Sequence, residues 1–247
     1  MKKTITLSLI LLFLSNLSAE VMIWEKDKKP TPYQSVKVDN LDVLAKMAKG
    51  TRRIKKDNIL AIDMPMPAVV GKLETAYYAK KYDAVIKSGN KAIKKFKYLG
   101  WGKKIAYYVS LSYLKKGDVK NAEKTVLFAI AYTNRPEPHK IDHEQLLDIV
   151  SAKVQLSQGL KAKAKDRLDS ISETSSSIKA HLYNTYAEYY LANSEKDLAI
   201  QAFLKSALLG AEDSPEQKAA IESVDAIYTE NEDLESLKLL QKIKEKN

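Results

Sequence analysis

The chain has 247 residues, with 41 Lys and Arg against 31 Asp and Glu, a formal net charge of +10. It contains no cysteine, which excludes disulfides, thiol nucleophiles and Cys-ligated zinc or iron–sulfur centres. Hydrophobic residues make up 45% and charged residues 29%, enough for a packed core, and 14 Tyr with only 8 Gly and 7 Pro suit half-buried helices better than a turn-rich all-β protein.

Residues 1–19 begin with Met1-Lys2-Lys3, continue through an apolar stretch from Ile5 to Leu14 and end at the small residue Ala19 before Glu20. That order of basic, apolar and small residues is a secretory signal, with cleavage expected after Ala19. The apolar run is too short to cross a bilayer comfortably, so the expected product is periplasmic or secreted, with no transmembrane segment after cleavage. Loss of Lys2 and Lys3 lowers the net charge to +8.

Residues 20–64 read as a small β module. Val21 to Trp24 is a compact apolar run, Pro30 and Pro32 mark a turn, and Ser35-Val36-Lys37-Val38-Asp39 alternates like a half-buried strand. The stretch from Leu41 to Lys49 fits a strand through 41, 43, 45 and 47 or a helix through 41, 44, 45 and 48, and the strand is preferred. Thr51 to Ile54 and Ile59 to Ile62 supply two more strands, and Trp24 is expected in the module's core. The arrangement weakly resembles a small SH3-like barrel and carries no diagnostic motif.

Asp63-Met64-Pro65-Met66-Pro67 marks the boundary to a helical domain over 65–247, with Pro67 placed for a first helical turn. Gly100, Gly102, Gly117, Pro136, Pro138, Gly159, Gly210 and Pro215 then punctuate apolar-periodic segments of about twelve to eighteen residues. Within them a frame recurs. Ala106, Ser110 and Tyr113 precede Gly117-Asp118 and then Ala122, Val126 and Ala129; Tyr183, Ala187 and Tyr190 precede Ala199, Phe203 and Ser206. Ala152 and Gln155 precede Ala164, Leu168 and Ile171, while Val224 and Ile227 precede Ser236, Leu240 and Ile243. Leu73 and Ala76 before Val85, Gly89 and Ala92 form the weakest copy. The small positions at 85, 122, 164, 199 and 236 are separated by 37, 42, 35 and 37 residues, the largest gap falling at an insertion from Asn134 to Asp142.

This pattern over 68–247 resembles the tetratricopeptide repeat, whose period is about 34 residues. The resemblance implies a mostly α fold, a right-handed α-α superhelix of about five hairpins behind the β module. It also implies partner binding on a concave face, with no catalysis and no cofactor. Projected onto this chain, that face contains Lys104, Tyr107, Leu111, Leu146, Lys153, His181, Asn184, Glu188, Lys218 and Tyr228.

Other constellations carry less. His139 and His143 are four apart, but Leu147 stands where a zincin motif needs its second histidine, so a solvated loop or helix start is expected and no metal. Gly100-Trp101-Gly102 before Lys103-Lys104 lacks the remaining glycines of a phosphate loop and reads as a turn whose Trp packs between repeats. Tyr113, Tyr183, Tyr186 and Tyr190 fall on packing positions and are expected in the core, whereas Tyr107-Tyr108 and Tyr189-Tyr190 are candidates for stacking. Carboxylate pairs at Glu212-Asp213 and Glu232-Asp233 suit helix starts.

The charge is graded along the chain. Residues 65–135 hold 15 basic and 4 acidic side chains, and residues 211–247 hold 5 basic and 10 acidic ones. Lys87, Lys91, Lys94 and Lys95 share the face of one helix opposite the stripe 85, 89, 92 and 96. A solvated helix back explains them, and a dock for an anionic polymer or membrane surface is the functional alternative. Nucleic acid is disfavoured, because the chain is expected to be exported and this segment has almost no arginine. The expected function is therefore an exported, non-enzymatic scaffold for a protein or peptide in the bacterial cell envelope. A basic front and an acidic end also suit head-to-tail pairing of copies.

Overall fold

The structure is a computed structural model that describes residues 21–39, 42–132, 141–172, 175–233, 235–238 and 240. The segment 1–19 expected to be a signal, residues 134–140 of the insertion, with His139 among them, and Ile243 lie outside them. The chain is mostly helical behind a small antiparallel β part. No helix among the described residues is long and apolar enough to cross a membrane.

Among the described residues six strands form two three-stranded antiparallel sheets. β1 (Val21–Glu25) lies between β2 (Thr31–Tyr33) and β6 (Ile59–Asp63), while β3 (Ser35–Asp39), β4 (Asp42–Met47) and β5 (Gly50–Lys55) form a meander. Of the stretch expected as a strand, Asp42–Met47 forms one, as the 43 and 45 alternation suggests, and Leu41 lies outside the described residues. Val43 and Ala45 are fully buried, with Leu44 half-buried between them. On β1 the same alternation buries Val21, Ile23 and Glu25. Trp24, expected in the core, instead lies half-buried on the opposite face, because its even register leaves the inward positions to its neighbours. Glu25 is buried as an ion pair, its two oxygens taking both arms of the Arg52 guanidinium at 2.7 and 2.8 Å.

Nine helices follow among the described residues: α1 (Ala68–Tyr78), α2 (Tyr82–Phe96), α3 (Gly102–Lys115), α4 (Val119–Tyr132), α5 (Ile141–Ser157), α6 (Lys161–Asp169), α7 (Ser176–Ala192), α8 (Lys196–Leu209) and α9 (Pro215–Glu230). Residues 235–238 are helical again. Pro67 caps α1 from outside the helix and does not form its first turn.

The hairpin turns are copies of one another. A single left-handed residue separates each helix pair: Lys80, Gly117, Gly159, Ser194 and Glu232, spaced 37, 42, 35 and 38 apart. The next residue's N–H always reaches the carbonyl five back: Lys81 to Ala76, Asp118 to Tyr113, Leu160 to Gln155, Glu195 to Tyr190 and Asp233 to Tyr228, at 2.8 to 3.0 Å. The left-handed residue itself donates to the carbonyl three back, completing a Schellman cap at all five sites. This register corrects the fifth copy. Its equivalents are Tyr228 and Leu237, one residue later than the Ile227 and Ser236 that the spacing suggests, because Leu237 N–H bonds the Asp233 carbonyl just as Ala199 N–H bonds that of Glu195.

Small residues sit where helices meet: Ala122, Ala164 and Ala199, at one turn position, are all fully buried, as are Ala106 and Ala187 on the first helices. The central helix α3 is apolar nearly all round, burying Ile105 through Ser112 without a gap. One hydrophobic cluster runs from the β module through α7, joining Ile23 and Val43 to Val70, Leu73 and Leu182. Trp101 ties the two parts together, donating from Nε1 to the Met64 carbonyl at 3.1 Å while its ring lies 4.9 Å from that of His143. His143, expected in a solvated loop or helix start, lies in the first turn of α5 but is buried there, with Nδ1 2.9 Å from the Gly100 carbonyl. α6, nine residues long, is shorter than the expected range.

The tightest helix contact makes a prediction. A Cβ added at Gly89 of α2 would lie 2.2 Å from Val109 Cγ2 of α3, whereas one at Gly71 would meet only Met66 Cε at an ordinary 3.7 Å. Overpacking therefore outweighs the gain in helix propensity at the first position but not at the second. Gly89→Ala is expected to lose about 1–3 kcal/mol or more in urea unfolding, and Gly71→Ala to be neutral or to gain up to about 1 kcal/mol.

Candidate binding groove on the inner face

The first helices of the hairpins, α1, α3, α5, α7 and α9, enclose a groove of about 740 Å³. Its wall is set by the turn frame. In the first four hairpins the residue after the carbonyl that the turn bonds five back, namely Tyr77, Leu114, Leu156 and Leu191, lines it, and in the middle three so do Leu111, Lys153 and Glu188, two positions before that carbonyl. The Schellman turns thus aim equivalent side chains of successive hairpins at one cavity.

Of the ten positions projected onto this face, Tyr107, Leu111, Lys153, His181, Asn184 and Glu188 line the groove. Lys104 instead pairs with Glu74 at 3.6 Å, and Leu146 is buried beneath the wall. Lys218 and Tyr228 miss it because of the one-residue shift in the fifth copy: Ala219 takes the wall position, Lys218 pairs with Asp213 at 3.1 Å, and Tyr228 packs against the C-terminal core. Tyr77, Tyr78, Leu114, Leu156, Leu191 and Glu216 were not anticipated. The leucines share one frame position and were legible in principle, whereas Glu216 meets its partners only through the tertiary fold.

The groove closes on itself. Tyr78, near the end of α1, donates its hydroxyl to Glu216 Oε1 near the start of α9, 138 residues away in sequence. His181 Nε2 faces the same oxygen at 3.5 Å, and its Nδ1 lies 2.8 Å from the Tyr107 hydroxyl. A carboxylate only accepts, so Nε2 carries the imidazole hydrogen and Nδ1 accepts from Tyr107. Glu216 also holds Asn184 through its backbone carbonyl, which accepts from Nδ2 at 3.1 Å. On the adjacent wall Lys153 bonds Glu188 between α5 and α7. The polar groups are therefore satisfied largely by one another, and Tyr77, Tyr78 and Tyr82 present ring surface beside Leu111 and Leu114.

Tyr107 and Tyr108, candidates for stacking, are almost wholly buried, their hydroxyls bonded to His181 and Glu74. By contrast Tyr183, Tyr186 and Tyr190, expected in the core, are only half-buried. They form a row along α7 that walls a separate recess beside Lys165 and Lys205, where the short α6 leaves them partly uncovered. Of the carboxylate pairs, Asp213 and Glu232 are the left-handed residues of their turns, and Asp233 caps the following turn by accepting from Ser236 N–H at 3.0 Å. Among the described residues, no cluster of three or more His, Asp or Glu could hold a metal ion.

Burial pushes the His181 imidazole below its ordinary pKa, against the opposing pull of Glu216. A base whose folded pKa is depressed stabilises the fold fully above its unfolded value, near 6.5, and loses that contribution as pH falls toward the folded value. Asp148, raised by burial, has the opposite sign and acts in the carboxylate range. Acidification from about pH 7 to about pH 5.5 is therefore expected to destabilise the chain, and His181→Gln to flatten that slope. Matching slopes for both proteins would remove His181 from the explanation.

No protein-family model, no characterised protein and no solved structure matches this chain, and the groove is read from its own geometry.

Proposed function

We propose that the chain is an exported, non-enzymatic scaffold whose tetratricopeptide-like superhelix holds a segment of a protein partner in the cell envelope. The observation that carries this reading is the groove from α1 to α9, preformed, about 740 Å³ in volume and walled by tyrosine and leucine surface from successive hairpins. A preformed apolar wall spares the partner's site most of the ordering cost of binding, and several hairpins each add modest area. The internal pairing of His181, Glu216, Lys153 and Glu188 leaves no activated nucleophile or free acid–base pair among them, which favours binding over catalysis.

The second reading, an adaptor for an anionic polymer or membrane surface, draws support from Lys87, Lys91, Lys94 and Lys95, all exposed on the outer side of α2. Charge reversal of these four would detach an adaptor and leave a groove-bound partner in place.

Leu191 and Ala219 are exposed and line the groove wall from α7 and α9. Leu191→Glu with Ala219→Arg is expected to cut capture of the partner from an envelope fraction by about tenfold or more, with the melting transition unchanged. Equal capture by the double variant would sink the groove reading. Mass spectrometry of the exported chain is expected to find Glu20 at its N-terminus.

A further inference from the structure

The first hairpin carries positive charge that its own acids do not balance. Glu74 is engaged by Tyr108 and Lys104, and Asp83 by Lys116. Beside the exposed lysines of α2 lies a second recess, a notch of about 460 Å³ between the start of α1 and the end of α2. Val69, Ala92 and Phe96 contribute its apolar floor, and Lys91 and Lys95 stand at its rim. The Lys95 ammonium is 5.3 Å from the centre of the Phe96 ring, so cation and apolar floor make one surface.

The end of α8 and its connection to α9 have the opposite character. Leu208 is 79% exposed, more than any other large hydrophobic residue among those described, and Leu209 beside it is 39% exposed. Two residues beyond Gly210 comes Glu212, exposed and without an ion pair among the described residues, followed by Asp213, which Lys218 neutralises. A bare leucine next to a free carboxylate is an amphipathic knob of the kind the notch would receive.

We propose that the two features are halves of one interface between copies of this chain: the Leu208–Glu212 connection of one copy seats in the α1–α2 notch of the next. Leu208 covers Val69 and Phe96, and Glu212 meets Lys91 or Lys95. Leu208 is solvent-exposed within a single copy, so the halves meet only between copies. The contact is heterologous: each copy keeps one free notch and one free knob, and association continues into chains unless its rotation closes a ring. Apolar burial supplies most of the attraction, while the charges orient the encounter and make it weaken with salt over a screening length of about 8 Å at physiological ionic strength.

Sedimentation velocity of the mature chain from about 10 μM to about 1 mM is expected to show concentration-dependent growth beyond monomer, stronger at low salt. Leu208→Glu destroys the knob and Lys91→Glu with Lys95→Glu destroys the notch, so each variant alone is expected to stay monomeric. Mixed in equal amounts they are expected to form a one-to-one dimer that grows no further, since only one intact knob and one intact notch remain per pair. Glu212→Lys, at an exposed turn, repeats the knob test should Leu208→Glu alter the melting transition. A monomer throughout for the unmodified chain, growth insensitive to these substitutions, or a mixture that fails to pair would each overturn the proposal.

Discussion

The helical part depends on one backbone constraint, the left-handed residue that ends the first helix of every hairpin. Three of the five, Lys80, Ser194 and Glu232, are not glycine and hold positive φ at a cost of about 1–2 kcal/mol each. What sustains them is the pair of hydrogen bonds that each turn closes, which satisfies carbonyls otherwise stranded at a helix end. All five turns close with the same hydrogen bonds around one left-handed residue. Equivalent faces of α1, α3, α5, α7 and α9 then look into a common space.

That space is walled off by contacts no single hairpin contains. Tyr78 and Glu216 join the first and last of the five inner helices, and His181 and Asn184 brace Glu216 from α7. Mutual satisfaction matters energetically, because a polar group buried beside an apolar wall without a partner costs about 1–3 kcal/mol. The result is an apolar wall held in place by a polar latch, with the latch placed between the first and last of these inner helices.

The ends of a stacked-hairpin array expose apolar faces that need covering. At the front, the β module does this by sharing its core with Val70 and Leu73 and by the Trp101 to Met64 hydrogen bond. At the back, Leu240 is buried in a separate cluster with Val224 and Ile227 of α9. The β module therefore acts as a structural cap, and the cysteine-free chain is held by burial in these two clusters.

Periodicity made the hairpins legible, because small residues at the helix crossings and Gly117-Asp118 at a turn leave marks at fixed offsets. Six of the residues that the family resemblance projects onto one face also line the groove, since the resemblance rests on the same regular turn. Where the fifth copy slipped by one residue, Lys218 and Tyr228 went astray: a helix rotates by about 100° per residue, so a single step moves a side chain off the wall. Strand alternation was legible too, but not its inward face at Trp24, which is decided by what packs against the sheet. By itself the sequence determined the order of elements, the repeat frame, the charge gradient and the absence of disulfide support, all properties of local spacing and composition. Only the tertiary structure decided the burial of His143, the exposure of the Tyr183 to Tyr190 row and the closure of the groove by Tyr78 and Glu216. Each of these depends on which surfaces meet across more than one hairpin, and a pattern of nearest neighbours along the chain contains no record of that.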